Sequence, residues 1–119
     1  MKYQVLTMSH LLRVFMNISF YFQKTNKNRE NKLRNYLTEK KLKRLTRLLQ
    51  HGSLPLADLR VHAEYFQKHN AFLVKLSLKF AKYALVAEER SHDILKGLDL
   101  ALDRLIDQLR KVESIKHDK

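Results

Sequence analysis

Cysteine and tryptophan are absent from the 119 residues, glycine occurs twice and proline once. Without cysteine there is no disulfide, no thiolate nucleophile and no cysteine-ligated zinc, and the composition suits a reducing cytoplasm. Gly52 and Gly97 stand too far apart to form a glycine-rich phosphate loop. No apolar run approaches the roughly 20 residues a membrane-spanning helix needs. The most apolar stretch, residues 1–15 (MKYQVLTMSHLLRVF), is bracketed by Lys2 and Arg13 and interrupted by Thr7, Ser9 and His10. It carries no small-residue cleavage site, so it fails both as a signal peptide and as an anchor. It reads as an N-terminal extension, an extra strand or a short helix, with Met16 as an alternative start. Residues 16–119 then form one α+β domain, whose core is supplied by an apolar content of 45%.

Acidic residues are also scarce, 12 against 24 Lys and Arg, which leaves a formal charge of +12. Residues 24–47 hold ten of the cations (Lys24, Lys27, Arg29, Lys32, Arg34, Lys40, Lys41, Lys43, Arg44, Arg47) and two acids, Glu30 and Glu39, and so carry +8 of that total. Solubility of a small domain needs a net charge of only about 2 to 8, and mixed signs would supply it without self-repulsion. So one-sided an excess points to a polyanionic partner, a nucleic acid or an anionic membrane surface.

Alternation of Ile18, Phe20 and Phe22 with Asn17, Ser19 and Tyr21 predicts a strand over 17–23. A polar loop is expected at 24–31. Residues 32–50, rich in helix formers, then read as one helix closed by Gly52 and Pro55. Its apolar stripe is Leu33, Leu37, Leu45 and Leu48, with Leu42 and Leu49 to one side. Lys41 and Arg44 fall near the centre of that stripe, which calls for a phase shift near Lys40 or for side chains lying along the edge of the core. Residues 59–65, 72–80 and 84–89 alternate as three further strands, with a polar turn at 67–70. Ser91 or Asp93 caps a last helix on which Leu95, Leu98, Leu102, Leu105, Leu109 and Val112 recur at three and four. The order is βαβββα: a four-stranded sheet with two helices packed on one face. A coiled-coil seam is the alternative use of the last helix.

Enzymatic chemistry finds no support. Six histidines (His10, His51, His62, His69, His92, His117) are scattered over different elements without ligand spacing, so no metal or other cofactor is implied. Glu88 and Glu89 are strand neighbours on opposite faces. Asp99, Asp103 and Asp107, spaced by four, read as a solvated ridge on the outer face of the last helix. At about 100° per residue, Lys32, Tyr36, Lys40, Lys43 and Arg47 share one flank of the first predicted helix, and Arg104, Gln108 and Lys111 one flank of the last. Side by side on the sheet, the two flanks would frame a single basic groove, with cations for phosphates and Tyr36 for stacking or packing.

Two strings in this order, LRNYLTEKKLKRL (33–45) and LVAEERSHDILKGLDLALDRLIDQLRK (85–111), resemble the ribosome hibernation promoting factor and ribosome-associated inhibitor family. The likeness covers about residues 17–111. It implies a fold akin to double-stranded RNA-binding domains. It also implies docking in the small-subunit channel between head and body, where such factors cover tRNA and mRNA positions and silence idle ribosomes in the cytoplasm. Carried over by position, Arg34, Lys40, Lys43, Arg104, Gln108 and Lys111 fall on the RNA-facing helices. The sequence departs from the family pattern by one extra residue near Lys41 and by Ala81, Lys82 and Tyr83 in place of a glycine-rich turn. It also lacks the C-terminal domain of the long forms. The implied partners are the small subunit and the whole ribosome, with no small-molecule substrate and no membrane, and with a monomer off the ribosome. A double-stranded RNA binder not specific to ribosomes, and a membrane-surface protein using the apolar N-terminus, are the alternatives.

Overall fold

A computed structural model describes residues 2–6, 16–51, 57–80 and 82–117. The elements are β1 (Lys2–Leu6), β2 (Met16–Gln23), α1 (Lys27–Tyr36), α2 (Glu39–His51), β3 (Ala57–Phe66), β4 (Ala71–Phe80), β5 (Tyr83–Ser91) and α3 (Ile94–His117), with a 3-10 turn at Gln67–His69. The four predicted strands form one mixed sheet, and β1 adds a fifth at its edge in the order β1-β2-β3-β4-β5. Part of the N-terminal extension is therefore a strand, antiparallel to β2, with Lys2 opposite Phe22 and Leu6 opposite Ile18. β2 and β3 run parallel, Met16 opposite Ala57. Parallel neighbours need a crossover, and α1 and α2 supply it. β3–β4 and β4–β5 are antiparallel hairpins.

Alternation sorts the sheet into two faces, as the sequence predicts. Ile18, Phe20, Leu59, Val61, Val74, Leu76 and Leu78 are buried beneath the helices. Asn17, Arg60, Lys79 and Arg90, one position out of phase, lie exposed on the open face.

The helical region differs from expectation in two respects. First, the expected loop at 24–31 contains the start of α1: the Asn26 side chain accepts a hydrogen bond from the Arg29 amide at 2.9 Å, an N-cap that lets the helix begin at Lys27. Second, the expected single helix over 32–50 is two. The Leu37 amide donates to the Leu33 carbonyl at 3.1 Å to end α1, and Thr38 opens α2 by accepting from the Leu42 amide at 3.1 Å. This break resets the helical phase. α2 consequently buries Leu42, Leu45 and Leu49 and leaves Leu48 only partly covered, where an unbroken stripe puts Leu48 inside. The expected terminators Gly52 and Pro55, and Ala81 of the last hairpin, lie outside the described residues.

Asp93 caps α3, its Oδ1 accepting from the Leu95 amide at 2.9 Å. Leu98, Ala101, Leu102, Leu105, Ile106 and Leu109 form its buried face, laid over β4 and β5. Gly97 permits a close approach: a Cβ there would stand 3.1 Å from Val74 Cγ2. Truncating a fully buried strand residue, Leu76→Ala, is expected to cost about 2–5 kcal/mol in chemical denaturation. Gly97→Leu is expected to cost about 1–3 kcal/mol by overpacking against Val74. A loss below about 0.5 kcal/mol for Leu76→Ala would contradict this layering.

Candidate nucleic-acid interface

The end of α1 and the side of α2 facing α3 carry a network of polar contacts. Lys41 Nζ lies 2.9 Å from Asp99 Oδ1 and 4.7 Å from the centroid of the Tyr36 ring. The Tyr36 hydroxyl donates to Asp99 Oδ2 at 2.7 Å, and Arg44 Nη2 meets Asp103 Oδ1 at 2.6 Å. These groups line an open cleft of about 820 Å³ between the helices. Asp99 and Asp103 are thus not simply a solvated ridge, as their spacing suggested; they turn toward α2 and neutralise the two cations that had no place in the apolar stripe. Asp107 stands 3.9 Å from Arg110. Tyr36, expected either to stack or to pack, packs against the core and has its hydroxyl committed to Asp99. The Lys41 ammonium is held above its ordinary pKa, first by the hydrogen bond with Tyr36 and then by that with Asp99.

The other predicted residues divide by surface. Lys32 on α1 and Lys40, Lys43 and Arg47 on α2 are exposed. Ion pairs among the described residues engage Arg34, Lys41, Arg44, His62, Arg104 and Arg110, and none of those four outward cations. Arg34, assigned by the resemblance alone, turns inward. Its guanidinium lies 5.1 Å from the Phe22 ring centroid and 5.9 Å from that of Phe20, donates to Asn31 at 3.2 Å, and reaches Glu30 at 3.7 Å. It fastens α1 to β2 and has little freedom to meet a phosphate.

Arg104, Gln108 and Lys111 do not share a groove with the α2 flank. Arg104 Nε reaches Glu89 Oε1 on β5 at 3.3 Å, and Gln108 Nε2 donates to the Val86 carbonyl of the same strand at 2.8 Å. This flank of α3 overhangs β5, on the side away from α2, because the aspartate flank of α3 is the one drawn to the cations of α2. Lys111 is exposed, two turns beyond Arg104. The single groove expected from helical spacing is therefore two separate surfaces, of which the α2 flank holds the larger unneutralised charge.

Of the histidines, His62 stacks on Tyr21 at 4.9 Å and His92 Nδ1 lies 2.7 Å from the Asn70 carbonyl oxygen. Among the described residues no three potential ligands gather around a common point, and no helix is long and apolar enough to cross a membrane.

A mixed sheet covered on one face by helices, with exposed cations along one helix, defines a class: small α+β domains with a basic helical surface. The chain belongs to the family of sigma 54 modulation protein / S30EA ribosomal proteins, whose family model matches residues 21–116. This is a family of ribosome-associated hibernation and modulation factors and is not known as a family of enzymes. Among solved structures, the N-terminal domain of Protein Y from Thermus thermophilus is similar, with a TM-score of 0.59 and 18% identity over 78% of this chain and 94% of that one. At that identity the likeness speaks for the fold. A search of the curated proteins returns no match.

A raised pKa stabilises the fold below the ordinary lysine value, and the stabilisation disappears as pH climbs through the raised one. Lys41→Met is thus expected to lower stability at neutral pH, with the gap to the native chain narrowing above the ordinary value of 10.5. Urea denaturation between neutral pH and pH values above that point checks this. A gap independent of pH would show that the ammonium contributes nothing through its charge.

Proposed function

We propose that this chain is a ribosome hibernation factor that docks on small-subunit ribosomal RNA in the decoding channel between head and body, excludes tRNA and mRNA there, and inhibits translation in idle cytoplasmic ribosomes. Family membership supports association with the ribosome. The observation that carries the docking surface is the division of cations on α2: Lys41 and Arg44 are neutralised by α3, whereas Lys40, at the rim of the same cleft, and Lys43 and Arg47 are exposed and have no carboxylate partner among the described residues. Cations of the second kind bind phosphates, because each phosphate they neutralise releases a condensed counterion and none must first give up an intramolecular partner. A domain with an unbroken core and extents of 48 × 28 × 22 Å inhibits by occupying space. It needs no reaction to do so and acts as a monomer. Arg104, Gln108 and Lys111 contribute secondary contacts along the β5 side, with Lys111 the freest of the three.

Sucrose-gradient sedimentation tests the reading. The native chain is expected to travel with small subunits and whole ribosomes at low salt and to be released as salt rises. Lys40→Glu/Lys43→Glu/Arg47→Glu is expected to bind at least about tenfold more weakly with an unchanged melting temperature. A native chain that stays at the top of the gradient would sink the proposal. Equal affinity for plain RNA duplexes would favour a general double-stranded RNA binder.

A further inference from the structure

The basic segment 24–47 does not present its charge in one place. β2 runs into α1 and β5 runs into α3 at the same end of the sheet, level with the β3–β4 turn: Gln23 pairs with Glu64, and Ser91 with Phe72. Lys24, Lys27, Lys68, Arg90 and Lys96 therefore converge there from three separate parts of the sequence, and all five are exposed. None takes part in an ion pair among the described residues. Of the neighbouring acids, Glu30 accepts from Thr25 and faces Arg34, Glu64 lies 3.9 Å from His62, and Asp93 caps α3, which leaves the cations in excess.

Aromatic rings back this charge. Arg29 lies over Tyr65 at 5.0 Å and over Phe72 at 5.1 Å, and Arg90 over Phe66 at 5.7 Å. Tyr65 and Phe66 remain partly exposed and, with Lys24, Lys68 and His69, line a cavity of about 430 Å³. Among the described residues, the two non-glycine residues with positive φ, Lys24 at 58° and Asn70 at 45°, both lie on its margin. Lysine rarely adopts that conformation, so the turn that places Lys24 beside Phe66 is held by the surrounding structure against a local preference.

We propose that this end of the sheet is a second RNA-docking surface, engaging a different stretch of RNA from the one met by the outer flank of α2. It rests on the reading of the chain as a ribosomal RNA binder and adds a second point of attachment to it. The chemistry fits single-stranded or looped RNA: free ammonium groups for phosphates, and the partly exposed Tyr65 and Phe66 with Arg29 and Arg90 laid over them, an aromatic–guanidinium surface against which an unpaired base can pack. Lys41 and Arg44 of α2 pair with Asp99 and Asp103, three and seven residues along α3 from Lys96, so the α2 patch begins about 5–10 Å along that helix from this end, and two adjoining patches fix the orientation of the domain on RNA as one patch cannot.

Filter binding of purified small subunits across a potassium chloride series tests the proposal with two exposed double reversals matched in charge. Lys68→Glu/Lys96→Glu alters this end of the sheet, and Lys79→Glu/Lys82→Glu alters the opposite end. The first is expected to weaken binding about tenfold or more and to reduce the salt slope by about 1.4, as for two lost phosphate contacts with single-stranded RNA. The second is expected to weaken it less than about threefold, the share due to net charge alone. Melting curves establish that both variants are folded. Equal losses in the two variants, with the native chain bound, would overturn the sheet-end surface and leave the ribosomal reading standing. A native chain that does not bind subunits would defeat the ribosomal reading instead. The same pair measured on a protein-free transcript of small-subunit ribosomal RNA then decides the surface by the same difference.

Discussion

The pairing of Lys41 with Asp99 and Tyr36, and of Arg44 with Asp103, is the constraint on which the surface of this domain depends. A chain carrying +12 must lay a strongly cationic helix beside another helix on one face of a sheet. It does so by turning the aspartates of α3 inward. Pairs this exposed contribute only about 0–1 kcal/mol each, so their effect is chiefly to set which flank of α3 faces α2. Once that flank is chosen, the rest follows: Lys43 and Arg47, with Lys40 at the rim of the cleft, stay exposed and unpaired among the described residues, and Arg104 and Gln108 are carried over to β5.

The two edges of the sheet are β1 and β5, and α3 covers part of the second. An edge strand presents unpaired backbone groups that invite pairing with other chains. Gln108 takes up the Val86 carbonyl on β5, and β1 pairs along β2 at the other side. A residue that helical spacing alone marks as a candidate RNA contact therefore also ties α3 to the sheet edge. β1 lies before the part of the chain matched by the family model.

Much of the architecture was legible because it rests on period. Ile18, Phe20 and Phe22 alternate so regularly that the strand and its buried face follow directly, and the same holds for Phe72 to Phe80 and for the leucines of α3. What spacing did not reveal was decided by single polar groups. Asn26 starts α1 five residues early through one side-chain hydrogen bond, and Thr38 splits the expected helix, moving Leu42 and Leu49 into the core and Leu48 to its edge. Lys41 and Arg44 were the visible symptom of that break, since cations in an apolar stripe mean that the stripe is out of phase. Their partners were hinted at by the matching spacing of Asp99 and Asp103. Which flank of each helix faces its neighbour is a tertiary property, and there helical spacing joined two surfaces that the fold keeps apart. Arg34 shows the reverse: it fell outside the helical flank, and the structure packs it over Phe22.

The central claim is that unneutralised cations on the outer flank of α2 dock this domain on small-subunit ribosomal RNA. A cryo-electron microscopy map of the native chain bound to small subunits tests it most directly. The account predicts density in the channel between head and body, with Lys40, Lys43 and Arg47 against RNA phosphates and the Lys41–Asp99 pair intact. A map in which that flank of α2 faces solvent while the domain is held by other surfaces would contradict it.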